Sequence, residues 1–137
     1  MCGAVSFDVR DAPTSFGACH CDMCRRWTGA AFLGTTVPAD RITFAGEGSI
    51  ARIQSSDWAE RAFCKTCGTG LWCRVTMDGA PDSYEIPIGL YDDPNGLSFD
   101  SEIFIDCKPD SFAFAGERET MTRAEVFAKY APNFEES

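Results

Sequence analysis

Three cysteines, Cys19, Cys21 and Cys24, fall within six residues and are followed at once by Arg25 and Arg26. A further pair, Cys64 and Cys67, flanks Lys65-Thr66 and leads into Gly68. Thiols at this density serve a hydrophobic core poorly. As thiolates they suit a soft, tetrahedral metal, and Zn²⁺ is the default occupant. Two thiols at C-x-C spacing on extended backbone can point the same way, and a C-x₂-C turn closes two sulfurs on one ion. Gly68 fits the tight turn that such a knuckle needs. Spacing alone allows two arrangements. Cys21, Cys24, Cys64 and Cys67 can form one Cys₄ site, leaving Cys19 and Cys2 idle. Alternatively, Cys19, Cys21 and Cys24 hold one ion with a fourth position open, and Cys2 joins Cys64 and Cys67 at another. An open three-ligand zinc is the catalytic pattern, and a closed four-ligand zinc the structural one.

The elements that position these residues must come from 137 residues, enough for one domain with a real core. A single domain over 1–137 is expected, with a frayed tail from about residue 132. Apolar residues make up 45% and charged residues 24%, as in ordinary globular proteins. No run approaches the ~20 apolar residues of a membrane span. No basic segment followed by an apolar run marks the N-terminus, so no signal peptide is expected. Cytoplasmic localisation follows, where eight cysteines stay reduced for metal or chemistry. The formal net charge of −9 opposes nucleic acid and anionic membranes as partners. Arg25-Arg26 is the one local cationic feature beside the cysteines, and it offers a place for a small anionic ligand.

Periodicity predicts a mainly β chain of roughly eight to ten short strands. Residues 4–10 alternate strictly, with Val5, Phe7 and Val9 on one face. Residues 11–17 contain Pro13 and read as a turn or loop. A short helical turn over 22–27 is ended by Thr28-Gly29. Residues 30–37 form a β-branched strand ended by Pro38, residues 41–44 alternate briefly before the turn at Gly46-Glu47-Gly48, and residues 50–54 form another strand. Leu71, Cys73 and Val75 alternate with Trp72, Arg74 and Thr76, which makes Cys73 a buried thiol. Tyr84, Ile86, Ile88 and Leu90 form a core stripe, and Pro87 within it favours an edge strand or a bulge. Residues 92–96 form a turn. Ile103, Ile105 and Cys107 predict a further strand with a second buried thiol, and Phe112-Ala113-Phe114 a short one. Thr122 and Glu125 have capping-box spacing and start a helix over about 123–130.

Several stretches resemble one family. Residues 1–7 (MCGAVSF) look like the opening of the glutathione-dependent formaldehyde-activating (GFA) family. Cys19-His20-Cys21-x-x-Cys24-Arg25-Arg26-x-x-Gly29-Ala30 resembles its central motif, Phe63-Cys64-x-x-Cys67-Gly68-Thr69 its third, and residues 103–109 (IFIDCKP) its C-terminal strand motif. The likeness runs in order to about Phe114. It implies a β-rich, single-domain Mss4-like fold of short antiparallel strands with zinc-pinned loops and a short C-terminal helix. It further implies a zinc at Cys19, Cys21 and Cys24 associated with glutathione chemistry. A second, structural zinc would tie the N-terminal segment, through Cys2, to Cys64 and Cys67, giving one or two Zn²⁺ per chain. Two departures stand out. The family usually opens with C-x-C-G, where this sequence has only Cys2, and it often has His where this sequence has Glu102.

The activity implied is a carbon–sulfur lyase of the S-(hydroxymethyl)glutathione synthase type. Cys19, Cys21 and Cys24 would form the catalytic metal site. Arg25 and Arg26 would bind carboxylates of glutathione, or of another small thiol that reacts with an aldehyde. The competing reading is a non-catalytic zinc- and thiol-binding module or glutathione carrier. His20, the only histidine, can be read as a ligand or a general base. Flanked by two ligand cysteines, it is expected to point away from their metal. Trp27, Trp58 and Trp72 read as packing residues.

Overall fold

A computed structural model describes residues 1–133. Among them, in chain order, are β1 (Ser6–Val9), β2 (Ser15–Cys19), α1 (Asp22–Thr28), β3 (Phe32–Pro38), β4 (Ile42–Ala45), β5 (Ile50–Gln54), β6 (Ala59–Cys64), β7 (Gly70–Val75), β8 (Ser83–Pro87), β9 (Ser98–Ile103), β10 (Glu119–Met121) and α2 (Arg123–Tyr130). The chain is mainly β, as the periodicity predicted. It divides into two compact units. The first holds Met1–Thr14 and Gly34–Leu97, and the second Ser15–Leu33 with the chain from Ser98 onward.

In the first unit, β3, β8, β7, β6 and β5 neighbour one another in that order, all antiparallel. β1 and β4 form a separate antiparallel pair that sets Phe7 opposite Phe44. Val37, Ile42, Ile50, Ala62, Leu71, Trp72 and Ile86 form the core, and Val5, Phe7 and Val9 pack against it. The face predicted for residues 4–10 is thus the one that is buried. Phe44 lies 4.7 Å from Trp72, and Tyr84 meets Trp72 edge-on at 5.1 Å.

Three expectations fail here for local reasons, one being the core stripe of Tyr84, Ile86, Ile88 and Leu90, of which Ile86 alone is buried and the others are half-buried. The alternation in β7 breaks, because Leu71 and Trp72 are both buried while Cys73 is only half-buried. Ala62 pairs with Trp72 and Phe63 with Gly70, so Leu71 is an extra residue on its strand. A bulge of this kind turns two successive side chains inward. Pro87 does not mark an edge strand. β8 lies between β3 and β7, and Pro87 is its last residue. The missing N–H therefore falls at the strand end, and Ile88–Leu90 turns away as a 3₁₀ segment.

In the second unit β9 lies between β2 and β10, and both pairings are parallel, whereas antiparallel strands were expected. β2 starts at Ser15, inside the segment read as a loop. A five-residue strand containing a glycine shows no alternation, and its partner lies some eighty residues away in the chain. Its Phe16 stacks on Phe99 at 4.6 Å. β9 ends at Ile103, where the following strand was predicted to begin. Phe104 takes a left-handed conformation and Ile105–Cys107 forms a 3₁₀ turn. Residues 112–114 are irregular rather than a strand. Cys21, Cys24, Phe32, Phe104 and Val126 form the core of this unit, with Trp27 packed against it. Cys107 is half-buried rather than buried. α2 carries the capping box foreseen for it, with Thr122 and Glu125 bonded reciprocally. The tail expected to fray lies largely at 134–137, outside the described residues.

Candidate functional site

β2 carries the chain to Cys19 at its C-terminal end, where it is registered against Ile103 of β9. The amide of His20 then donates to the Ile103 carbonyl at 3.0 Å. Cys21 leaves the strand as the N-cap of α1, its Sγ accepting from the Cys24 amide at 3.3 Å. Cys24 sits in the first turn, and left-handed Gly29 closes the helix with its amide on the Arg25 carbonyl. The strand end and the first helical turn thereby bring the sulfurs of Cys19, Cys21 and Cys24 within 4.8 Å of one another. Cys21 and Cys24 are buried and Cys19 is half-buried.

Hydrogen bonding to the Cys21 and Cys24 sulfurs, then burial, then their charge push the Cys19 thiol far above its ordinary range. Three converging sulfurs cannot share their negative charge without a cation. No disulfide joins any of the eight cysteines. The donor set therefore fits a soft divalent metal such as zinc.

The second sulfur group is built in the other unit. The Gly68 amide donates to the Cys64 carbonyl at 2.8 Å, and the Cys64 amide to the Thr69 carbonyl at 2.9 Å, so the C-x₂-C turn is closed by backbone bonds. Cys2, Cys64 and Cys67 also lie within 4.8 Å of one another, with Cys2 and Cys64 sulfurs 3.7 Å apart. The Thr69 hydroxyl, 3.1 Å from Cys67 Sγ, and the Thr69 amide draw the Cys67 thiol down to about 5. The Ala4 amide draws the Cys2 thiol down, but the Cys67 and Cys64 sulfurs and lost hydration together leave it raised. A sulfur that ionises readily beside two others is again a donor set for a cation. The sulfurs thus group three and three. A cavity of about 540 Å³ lies beside this group, lined in part by Phe7, Thr69 and Tyr91.

His20 is not among the grouped metal donors. It is 1% exposed, and its Nε2 lies 2.8 Å from Glu102 Oε1. Arg118 Nη1 donates to the other oxygen, Oε2, at 2.7 Å, and its Nη2 donates to the Ala115 carbonyl. Burial opposes ionisation of Glu102 most strongly. The bonds and charges of His20 and Arg118 outweigh it and hold the carboxyl below the usual range. Phe112 and Phe114 flank the imidazole, with centroids 6.2 and 6.1 Å away. His20, Arg25, Ser111 and Phe112 line a cavity of about 470 Å³, whose wall also includes Gly29, Ala30 and Ala31.

Of the two arginines, Arg25 reaches this cavity and makes a long ion pair with Asp22 at 3.7 Å. Arg26 is exposed and not part of the lining. Sequence reasoning noted Glu102 only as a departure and passed over Arg118. A carboxylate directly before an apolar Ile-Phe-Ile run was the available signal for Glu102. Arg118 gave none, because its role depends on a fold contact sixteen residues away.

A family model described as glutathione-dependent formaldehyde-activating enzyme matches residues 1–107. The chain belongs to the GFA family. An uncharacterized lyase of Schizosaccharomyces pombe is 31% identical over 126 residues, covering 92% of this chain and 90% of that protein. A crystal structure of a Rhodobacter sphaeroides protein aligns with a TM-score of 0.55 at 24% identity, over 66% of this chain and 83% of that one, and so shares the fold. Both sulfur groups lie within the part of the chain that matches the GFA family. Among the described residues, no helix is long and apolar enough to cross a membrane.

Proposed function

We propose that this protein is a carbon–sulfur lyase of the S-(hydroxymethyl)glutathione synthase type. It joins the thiol of glutathione, or of a similar small thiol, to formaldehyde or a similar aldehyde in the cytoplasm. The observation that carries this reading is the convergence of the Cys19, Cys21 and Cys24 sulfurs at the start of the helix whose Arg25 lines a ligand-sized cavity. Membership of the GFA family and the lyase name of the yeast relative support it.

Cys19, Cys21 and Cys24 hold the catalytic zinc in this reading, and Cys2, Cys64 and Cys67 hold a structural one. At the first site bound zinc supplies Lewis acidity, which lowers a thiol's pKa and polarises a carbonyl. The rest falls to the chain. Arg25 offers a planar guanidinium for bidentate pairing with a ligand carboxylate, which orients the thiol. Exposed Arg26 adds positive charge near α1 that draws an anionic ligand in. Gly29, Ala30 and Ala31 line the cavity without bulky side chains, and Phe112 gives it an apolar side. In the reaction one S–C bond forms, the carbonyl π pair moves onto oxygen, and the thiol proton ends on that oxygen.

Exchange NMR of glutathione, formaldehyde and their adduct tests this with zinc-loaded protein. Exchange faster than in buffer, in proportion to zinc content and lost in Cys21→Ser, is the expected result. Glutathione binding without faster exchange makes the protein a thiol carrier instead. Absence of both overturns the reading.

A further inference from the structure

Lys108 belongs to neither sulfur group and does not line the cavity beside Arg25, yet its side chain holds one stretch of that cavity's wall. Pro109, Ser111 and Phe112 are part of the lining, and Asp110-Ser111 forms the turn between them. Lys108 precedes this turn and directly follows the 3₁₀ segment Ile105–Cys107, where its amide donates to the Ile105 carbonyl at 3.3 Å. From that base its half-buried side chain reaches across the turn. Nζ donates to the Pro109 carbonyl at 2.7 Å and also to the Phe112 carbonyl. It lies 5.0 Å from the centre of the Phe112 ring, within cation–π range. An ammonium has three N–H donors and no acceptor, so a single group gathers both ends of the turn and its aromatic ring. Pro109, Asp110 and Ser111 are exposed, so water can replace the ammonium at the turn when it is removed. The contacts therefore order this turn more than they stabilise the fold.

We propose that Lys108 is a positioning residue, which holds the 109–112 turn as a preformed wall of the cavity and thereby favours a peptide-length thiol over a short one. A turn that is free to move must be ordered each time a ligand lies against it, and every side chain fixed in this way weakens binding. Lys108 fixes the turn before the ligand arrives. A ligand gains from that only if it reaches the wall. The cavity, at about 470 Å³, lies in the range that buries most of a drug-sized ligand. A tripeptide thiol such as glutathione is large enough to meet Arg25 and the Ser111-Phe112 wall together. Free cysteine fills only a fraction of the space and depends less on the wall. The inference rests on the reading of this cavity as the thiol-ligand site. It goes further by naming a residue outside the lining that sets which thiols bind well.

Amide relaxation NMR and titration calorimetry on zinc-loaded full-length protein test this. In the ligand-free protein the Ser111 and Phe112 amides should be as rigid as those of α1, with order parameters of about 0.85. Lys108→Met keeps the apolar stem and removes the donors, and should lower these order parameters to about 0.6. It should raise the glutathione Kd about tenfold and the cysteine Kd by less than about twofold, with zinc content unchanged. Lys108→Arg, which still donates to both carbonyls, should recover most of the glutathione affinity. Ser111 and Phe112 amides that are mobile in the ligand-free wild type, and become rigid only with glutathione, overturn the inference. That measurement needs no variant, so it decides the matter even if Lys108→Met fails to fold. Equal losses of glutathione and cysteine affinity in Lys108→Met, or no loss of either, overturn it too, while the proposed function stands. If the zinc-loaded wild type does not bind glutathione at all, both fall.

Discussion

Glu102 and Arg118 form an ion pair at 2.7 Å with side chains only 8% and 7% exposed. A charge pair this well buried adds little net stability compared with an apolar pair, but breaking it strands a charge. Arg118 also lies over the Phe99 ring at 3.9 Å, so its guanidinium cannot simply swing into water without losing that contact.

Replacing Glu102 by Ala should therefore destabilise the protein by about 3–5 kcal/mol, because Arg118 and His20 both lose their buried acceptor. Glu102→Gln keeps one accepting oxygen and the side chain's shape and should cost less, about 1–3 kcal/mol. Denaturant unfolding checks this. The midpoint should fall in that order with the slope unchanged, as for an intact fold with weaker contacts.

The same carboxylate gives stability a pH dependence. Its pKa is lowered in the folded state, so the unfolded chain binds the proton more readily. Its contribution is thus fully present above the ordinary carboxylate range and is lost as pH falls through the lowered folded value. Thiolate protonation at any metal site acts in the same direction. The comparison must therefore be the difference between wild type and Glu102→Gln, measured from neutral pH downward. That difference should shrink as the solution is acidified. A constant difference would mean that Glu102 is not ionised at neutral pH.

The parts of the molecule legible in the sequence are those set by nearest neighbours. Thr122 and Glu125 are three residues apart and cap α2 without outside help, and Val5, Phe7 and Val9 show their face by simple alternation. Cysteine spacing marked the local turns at Cys21–Cys24 and Cys64–Cys67 but left open whether their sulfurs form one site or two, because that depends on Cys2 reaching Cys64 from 62 residues away. What could not be read depends on distant partners. Leu71 and Trp72 turn inward together because of a bulge against β6, and Ser15 extends because β9 supplies the ladder. Glu102 looked like an oddity in an apolar run until Arg118 and His20 reached it.

Each sulfur group should carry its own metal. Protein purified without chelator should contain about two zinc ions per chain. Cys21→Ser and Cys64→Ser should each remove one, as loss of one of three thiolates undoes the donor set. Cys73→Ser and Cys107→Ser, outside both groups, should remove none. Elemental analysis of the four variants reads this directly. Loss of both ions in either ligand variant would show that the two groups depend on each other.

Gly46 is held at φ +81°, and a Cβ there would lie 1.9 Å from the Ala4 carbonyl oxygen. Backbone on the opposing side cannot yield as a flexible side chain would. Gly46→Ala should cost about 2–4 kcal/mol, from left-handed strain and overpacking together. Gly48, two residues on, has open space around its Cβ position and should accept Ala with little change. Thermal unfolding of the pair separates this close approach from a general effect of altering the turn.

The two adjacent arginines should behave differently toward ligand, although the sequence presents them as equals. Arg25 lines the cavity with His20, and its competing partner, Asp22, is 3.7 Å away and exposed. A carboxylate in the cavity can therefore displace Asp22 at little cost. Losing a hydrogen bond to a charged group costs about 1.5–3 kcal/mol, so Arg25→Gln should raise the glutathione Kd by about ten- to a hundredfold. Arg26 is exposed and outside the lining, where solvent and salt screen its charge. Arg26→Gln should change Kd by only about twofold, and that change should vanish at high salt. Titration calorimetry at low and high salt distinguishes the two. Equal losses for both variants would mean that the arginines act as a general positive field, and that Arg25 forms no specific contact.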